Sequence, residues 1–441
     1  MVRRRRCNVG LSNLGATCYM NAVVQALGNC EGFVTHLKRA ASNNPGACVA
    51  RALLHVYTAQ SESLRESKER NTVTASYVDT RKLVRVVEQV IPGWSSANEQ
   101  HDAQEFAMAL VDRLMTEAKG DWRPDVGSTD GPVADLSRAD AIMPHPPSEG
   151  SIKIAGQADA HWRRSLPPES PASGLAELFY GQYVSQVTCG ACRRMTHSFD
   201  CMMGLPLDIR ANTIEGCMDA FFEDELLDDW KCEACGKKSP DSRKVARCWR
   251  LPRVMLVMVK RFSPVDGRKL EHPLRANSVI DMGDYLACFC AEDENDENEA
   301  DAEADRPYQL ASAVCHGGRS MASGHYRAFC RTATDIWVEC DDEDTRVTTA
   351  ADSYRISPVL RPPPEREAYL LAYQTGRSVA ERSGAGRSGA HHADTETDDT
   401  IEAVQSWPTA NQLGAGSMNA VQNWLMEHSP NKAVEDVRKG G

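Results

Sequence analysis

Residues 10–27 read GLSNLGATCYMNAVVQAL and place a cysteine at the start of an apolar helix. Met20, Val23, Val24 and Leu27 recur at i, i+3, i+4 and i+7 ahead of Gly28-Asn29, the spacing of a helix with one buried face. Gly10 and Gly15 permit tight turns before it, and Thr17 stands where a helix is capped. Cys18 falls in the first turn, where free N–H groups and the helix dipole favour a thiolate. A lone cysteine is more often a structural one, and a thiolate nucleophile still needs a base.

The far end of the chain supplies one. SGHYRAFCR at 323–331 sets His325 in a strand-like segment, and WVECDDED follows at 337–344. Cysteine early, histidine late and a carboxylate after it form a nucleophile–base–orienter set. Asp341 and Asp342 are adjacent, and the residues alone leave the choice between them open.

These motifs resemble those of a known family. GLSNLGATCYMN is similar to the Cys box of ubiquitin-specific proteases, and SGHYRAF with WVECDD is similar to their His box. The resemblance runs from Gly10 to Gln374. It implies an α+β, papain-like cysteine protease with a helical thumb, a β-sheet palm and zinc-ribbon fingers. It implies hydrolysis of the (iso)peptide bond after ubiquitin's terminal glycine, through a thioester on Cys18. His325 becomes the base and Asp341 the orienter, although Cys340 stands where the family usually has an aromatic residue. Asn13, five residues before Cys18, takes the place of the oxyanion-hole amide, with the Cys18 N–H as its partner. Read from residues alone, Asn13 is a turn former. His316 matches a family histidine that is not the base.

NEQHDAQEFAMALVDRLMTEA, from Asn98, reads as a helix with Phe106, Leu110 and Leu114 on one face and Asn98 as its cap. Glu99, Asp102 and Glu105 suit its early turns. QHDAQEF also resembles the family's second box, which implies that Asp102 and Glu105 accept the basic tail of ubiquitin. Gly324 and Tyr326 flank His325, where glycine allows the close approach that a channel for a Gly-Gly tail requires.

Cys189-x2-Cys192 and Cys232-x2-Cys235 are two complete knuckles with 39 residues between them. Paired thiolates at this spacing build a tetrahedral zinc site, and four sulfur ligands leave no position for water, so a single structural Zn2+ is expected. A helix is predicted over Thr213 to Leu227. Cys201, Cys217 and Cys248 read as core, and Cys288-x-Cys290 as strand packing.

Composition sets the remaining bounds. The 441 residues are 41% hydrophobic, enough for a real core, and the net charge is −12. Nine acidic residues between Glu292 and Asp305 account for most of that imbalance. No basic stripe points to nucleic acid, which argues against a zinc-ribbon nucleic-acid module. No apolar run reaches membrane-spanning length. MVRRRRCNVG has no apolar segment of a signal peptide, so an intracellular setting with reduced thiols, in cytoplasm or nucleus, is expected for the sixteen cysteines. The expected partners are ubiquitin and ubiquitinated proteins. A catalytically silent ubiquitin-binding scaffold and a protease for another ubiquitin-like modifier are the rival readings.

The expected organisation is a basic disordered terminus at 1–7, with Arg3 to Arg6, and a catalytic domain at 8–375. Insertions are expected at about 119–173 and 291–305, a linker at 376–400 and a tail at 401–441. Val49–Tyr57 and Leu83–Val90 read as helices, 61–72 as a polar loop, 251–262 as a buried strand and Ala368–Tyr373 as the closing strand. In the tail, SMNAVQNWLMEHSP at 417–430 puts Val421, Trp424 and Leu425 on one face. It resembles a degenerate last helix of a UBA domain. An isolated amphipathic helix is the favoured reading, because few apolar residues are at hand for a core.

Overall fold

The computed structural model describes residues 9–70, 77–94, 99–118, 149–166, 174–263, 265–288, 307–320, 323–332, 336–347 and 365–375. The basic terminus, Asn98, Cys290, the acidic run, the linker and the 401–441 tail lie outside the described residues.

Five helices come first: α1 (Cys18–Gly28), α2 (Phe33–Asn43), α3 (Cys48–Arg70), α4 (Arg81–Val90) and α5 (Ala103–Glu117). They make the thumb. The expected stripe on α1 is an enclosed helix instead: every residue from Cys18 to Leu27 is buried. Sheet strands pack on one side of it and α5 on another, so the small and polar positions of the helix are covered as well. Thr17 occupies the cap position without capping; its hydroxyl turns back to Asn13 and Leu14. Helix α3 runs through the segment expected to be a loop. Leu64 packs against the core there, and the polar residues around it form the outer face. The cap of α5 is Asp102, whose side chain accepts from the N–H groups of Gln104 and Glu105.

The second correction concerns the insertion expected at 119–173. Part of it is helix α6 (Glu149–Ser165), followed by α7 (Gly174–Phe179). Ala155, Ala158 and Trp162 are its buried residues beside Ser151. One large residue among alanines makes a weak sequence signal, although it leaves room for a sheet to approach closely.

That sheet is the fingers. It contains β1 (Tyr180–Thr188) and β2 (Met195–Met203). Further on, β3 (Leu205–Asp208) enters the palm, and α8 (Ile214–Phe221) precedes β4 (Glu225–Leu226) and β5 (Arg243–Arg250). The fingers order is β2-β1-β5-β4. On the α6 side, Val184, Phe199, Trp249 and Ala287 join Ala155 and Ala158 in a small core. Gln182 donates to the Ala158 carbonyl at 2.7 Å, and the Arg250 guanidinium lies over the Trp162 ring. Helix α8 is shorter than expected and is capped by Thr213, which accepts from Gly216 N–H.

The palm adds β6 (Val254–Lys260), β7 (Val279–Asp281), β8 (Pro307–Ser320), β9 (Ser323–Arg331), β10 (Trp337–Asp341), β11 (Asp344–Val347) and β12 (Ala368–Thr375). Its order is β11-β10-β9-β8-β12-β6-β3, with β7 paired to β8. The expected closing strand β12 is an interior strand, antiparallel to both β6 and β8 and buried along its whole length. One face of the palm meets the thumb helices, and the other carries α8 and a second core. Cys217 and Cys248 are buried as expected and Cys201 is half-buried, whereas Cys288 is exposed rather than packed in a strand.

Candidate active site

The cleft lies where α1 meets β9 and β10. Cys18 opens α1 and is buried. His325 lies on β9, and its Nε2 is 2.6 Å from Asp341 Oδ1 at the end of β10. The neighbouring Cys18 sulfur, helped by the hydrogen bond with Asp341 and opposed by burial, pushes the imidazole up to about 9. The ring therefore favours its charged form beside the sulfur. Asp342 Oδ2 stands 3.9 Å from the same nitrogen, beyond hydrogen-bond reach. Of the two adjacent carboxylates, Asp341 is the one bonded to the ring.

Asp342 faces elsewhere. Its backbone sits at φ 49°, a left-handed conformation uncommon outside glycine but one that aspartate adopts more readily than most residues. That turn buries the carboxylate and aims it at two amides: Asn13 donates to Oδ2 at 2.7 Å and Asn21 to Oδ1 at 2.8 Å. Burial raises the Asp342 carboxyl, and these two donors work against the rise. The Asn13 side-chain oxygen, Oδ1, accepts from the N–H groups of Gly15 and Thr17, and its backbone N–H donates to Glu343 Oε1 at 2.6 Å. Asn13 is thereby fixed at its backbone N–H and at both ends of its side chain, with one amide hydrogen uncommitted among the described residues. Gly10 packs so closely on the Glu343 carbonyl that a Cβ would come within 2.0 Å of it.

The residues matched to the second box line the same region, with different standing. Asp102 is occupied twice, by the start of α5 and by the Tyr369 hydroxyl, which donates to its other oxygen. Glu105 is exposed, and desolvation together with the Asp102 charge raises its carboxyl. Tyr326 is buried against His316 and Tyr369, so it forms a wall rather than an open surface. A Cβ on Gly324 would lie 2.2 Å from the His316 ring, so only glycine fits there. His316 is fully buried. Desolvation, with the charges of Lys269 and His325, lowers its ring to about 4, a neutral packing residue at ordinary pH.

Gln100 was not among the expected residues. Its side chain donates to the Gly324 carbonyl at 3.1 Å and accepts from the Gly324 N–H at 3.3 Å, a two-point clasp from thumb to palm beside His325. Asn21 was likewise passed over. Both stand inside quoted motifs, QHDAQEF and GATCYMN. The signal missed was a polar side chain in an otherwise apolar helix face for Asn21, and a second amide beside the acidic box for Gln100.

At the fingertip the four cysteines converge. The Cys189 and Cys235 sulfurs are 3.8 Å apart, as are those of Cys192 and Cys232. Tetrahedral zinc–sulfur bonds of about 2.3 Å require an S···S separation of about 3.8 Å. The two knuckles repeat one turn. Cys189 N–H donates to Arg194 and Arg193 N–H to Cys189; Cys232 N–H donates to Lys237 and Gly236 N–H to Cys232. The fourth residue after each leading cysteine, Arg193 and Gly236, has positive φ. Knuckle N–H groups of Cys192 and Ala191 draw the Cys189 thiol down to about 7, while the crowded neighbouring thiols push Cys192 up to about 11. The four residues form a group that could hold a metal ion.

A helix-start cysteine beside a histidine on a strand, itself held by an aspartate, has the geometry of a papain-like peptidase. The family model for ubiquitin carboxyl-terminal hydrolases matches residues 9–373, and the chain belongs to that family. It is 26% identical over 386 residues to ubiquitin carboxyl-terminal hydrolase 23 of Arabidopsis thaliana, covering 85% of this chain and 36% of that protein. It is 26% identical over 387 residues to human ubiquitin carboxyl-terminal hydrolase 21, covering 83% of this chain and 61% of the relative. The chain thus spans between about a third and three fifths of these relatives. In fold it is similar to Ubp8 in a SAGA DUB module bound to monoubiquitin, with a TM-score of 0.58 at 19% identity over 86% of this chain and 72% of that one. Among the described residues no helix is long and apolar enough to cross a membrane.

Proposed function

We propose that this chain is a deubiquitinating cysteine protease that hydrolyses the (iso)peptide bond after the C-terminal glycine of ubiquitin. The observation that carries the reading is the His325 ring, bonded to Asp341 at 2.6 Å and raised by the Cys18 sulfur beside it. Family relatives named as ubiquitin carboxyl-terminal hydrolases, and a similar fold solved with ubiquitin aldehyde, supply the substrate class.

The Cys18 thiolate attacks the carbonyl carbon of the terminal glycine. The charge that gathers on the carbonyl oxygen is met by the Cys18 N–H at the helix start and by the uncommitted hydrogen of the Asn13 amide. His325 then protonates the leaving amine, and a thioester joins ubiquitin to Cys18. The neutral ring next takes a proton from water, whose oxygen attacks the thioester; the C–S bond breaks, ubiquitin leaves with a free C-terminal carboxylate, and the Cys18 thiolate and imidazolium are restored. Asp341 keeps the imidazole in one tautomer and stabilises its charged form throughout. Glu105, the exposed carboxylate of the pair, receives the basic side of the ubiquitin tail; Asp102 shapes its approach from the helix cap. Gly324 and the Tyr326 wall keep the channel narrow enough for two glycines.

Cys189, Cys192, Cys232 and Cys235 hold one Zn2+ in a closed site that supplies folding energy to the fingers and takes no part in the chemistry. Ubiquitin and ubiquitinated proteins are the partners; nucleic acid and membrane are not. The test is hydrolysis of ubiquitin conjugates by the intact chain beside Cys18→Ala. The expected result is turnover by the first, and by the second none, with ubiquitin binding retained. Conjugates left intact by the zinc-loaded wild-type protein would overturn the reading and favour a silent scaffold.

A further inference from the structure

Asn21 touches neither the sulfur nor the imidazole in any recorded hydrogen bond, yet it ties together the three segments that build the oxyanion side of the cleft. It lies one helical turn beyond Cys18, on the same face of α1. Its side chain is almost fully buried, at 3% exposure. Its amide donates in two directions: to the Ser12 carbonyl at 3.1 Å and to Asp342 Oδ1 at 2.8 Å. Ser12 directly precedes Asn13. Asp342 accepts from Asn13 on its other oxygen, Oδ2, at 2.7 Å.

The carboxylate is therefore clamped between two asparagine amides, one on each oxygen. The clamp fixes its plane, and that plane sets which hydrogen of Asn13 is bound and which is left over. The backbone of Asp342 is held from a third side, since its carbonyl accepts from Leu11 N–H at 2.7 Å. A carboxylate buried to this degree, short of one of its donors, would swing toward another partner, because an unsatisfied buried charge is expensive. His325 is the nearest cation, with the second carboxylate oxygen 3.9 Å from its Nε2. Loss of the Asn21 donor would let Asp342 rotate toward the imidazolium and take Asn13 with it.

We propose that Asn21 is a positioning residue for the oxyanion hole: it holds Asp342 from α1, so that the free hydrogen of the Asn13 amide points at the carbonyl oxygen of the substrate. The inference rests on the deubiquitinase reading and deepens it.

The experiment compares the full, zinc-loaded chain with Asn21→Ala, Asn21→Asp and Thr80→Val. Asn21→Asp is nearly isosteric and turns the donor into an acceptor. Thr80 gives the Ser12 carbonyl its other hydrogen bond, at 2.9 Å, without touching Asp342, so its valine variant loosens the same strand alone. Two affinities are measured for each protein: for ubiquitin, and for ubiquitin aldehyde, which adds to the Cys18 thiol and places an oxygen in the oxyanion position. Loss of one aligned oxyanion donor lowers kcat by about 10²–10³-fold, and a residue acting through that donor should lower it by about tenfold or more. The expected result for either Asn21 variant is that drop in kcat, with KM within about twofold and the aldehyde-to-ubiquitin affinity ratio reduced in step. Thr80→Val should keep the wild-type ratio even if it melts earlier. If Asn21→Asp does not fold, Asn21→Ala carries the test. A folded Asn21 variant with the wild-type ratio would overturn the positioning role, and so would an equal loss in Thr80→Val. A wild-type protein that neither turns over conjugates nor binds the aldehyde would overturn the underlying reading first.

Discussion

The cleft and the fingertip both depend on cysteine, and they assemble in opposite ways. At the fingertip each knuckle closes its own turn, and the sulfurs that meet are 40 and 46 residues apart in the chain. In the cleft the partners are remote: Asn13 and Asp342 are separated by 329 residues and meet only because β10 runs beside the segment ahead of α1. A local site is shaped by the turns of its own two knuckles. A remote one is shaped by the whole thumb–palm core, in which α1 is buried on every side. The difference predicts that the two can be damaged independently.

The largest effect separates chemistry from fold. Cys18→Ala should lower kcat on a ubiquitin conjugate by at least about 10⁴-fold, since removal of a nucleophile leaves only binding and oxyanion contributions. Its melting temperature should stay close to wild type, because alanine at a 4% exposed helix start removes one sulfur from a core that the helix otherwise keeps. A melt that collapsed with the activity would erase the distinction between the two regions.

Zinc removal is the converse test. Stripping the metal with a chelator, or Cys232→Ala, should melt the fingers as a separate early transition and depress turnover of ubiquitin conjugates. Alkylation of Cys18 by a small reagent should persist at the wild-type rate, since His325 and Asp341 belong to the palm. Loss of Cys18 reactivity together with the metal would mean that the regions fold as one unit.

A third measurement works inside the cleft. Asp341→Asn should cut kcat by about 10²–10⁴-fold, as loss of an orienting aspartate does elsewhere. The pH dependence carries a sign. His325 is raised from 6.5 to about 9, so the stability its charge contributes is whole below about 6.5 and fades as pH climbs through about 9. In Asp341→Asn that window narrows from the alkaline side, and the alkaline limb of Cys18 alkylation should move with it. An unmoved limb would assign the raised imidazole to other groups.

The smallest catalytic effect is expected far from the cleft. Trp162→Ala on α6 removes a 5% exposed ring and its contact with Arg250. Destabilisation of about 3 kcal/mol is the usual scale for such a change, read by denaturant unfolding, with kcat/KM on a small ubiquitin substrate within about twofold. A large loss of kcat/KM would show that α6 shapes the substrate face of the fingers.

What could be read from the residues follows the same division. The zinc knuckles and the Cys18 helix start were legible because their signals are local: a fixed spacing in one, a run of apolar positions in the other. His325 and Asp341 were legible as residue types in order, but only the pairing of β9 with β10 decides that Asp341, rather than Asp342, meets the ring. Helix α6 was read as insertion because it buries alanines, which carry little periodic signal, against a sheet the sequence does not reveal. The polar end of α3 reads as loop because Leu64 is the apolar residue in SESLRESKER, and it packs against the core. Asn21 and Gln100 were passed over because a buried amide has no spacing rule. Its partners, Ser12, Asp342 and Gly324, become neighbours only in the folded chain.

The central claim is that one thiol among sixteen cysteines is the nucleophile. Ubiquitin carrying a C-terminal electrophile, incubated with the intact zinc-loaded chain and followed by peptide mass spectrometry, tests it most directly. The account predicts one ubiquitin per chain, attached at Cys18 and nowhere else, and no adduct in Cys18→Ala. An adduct on any other cysteine, or a wild-type chain left unmodified, would contradict it.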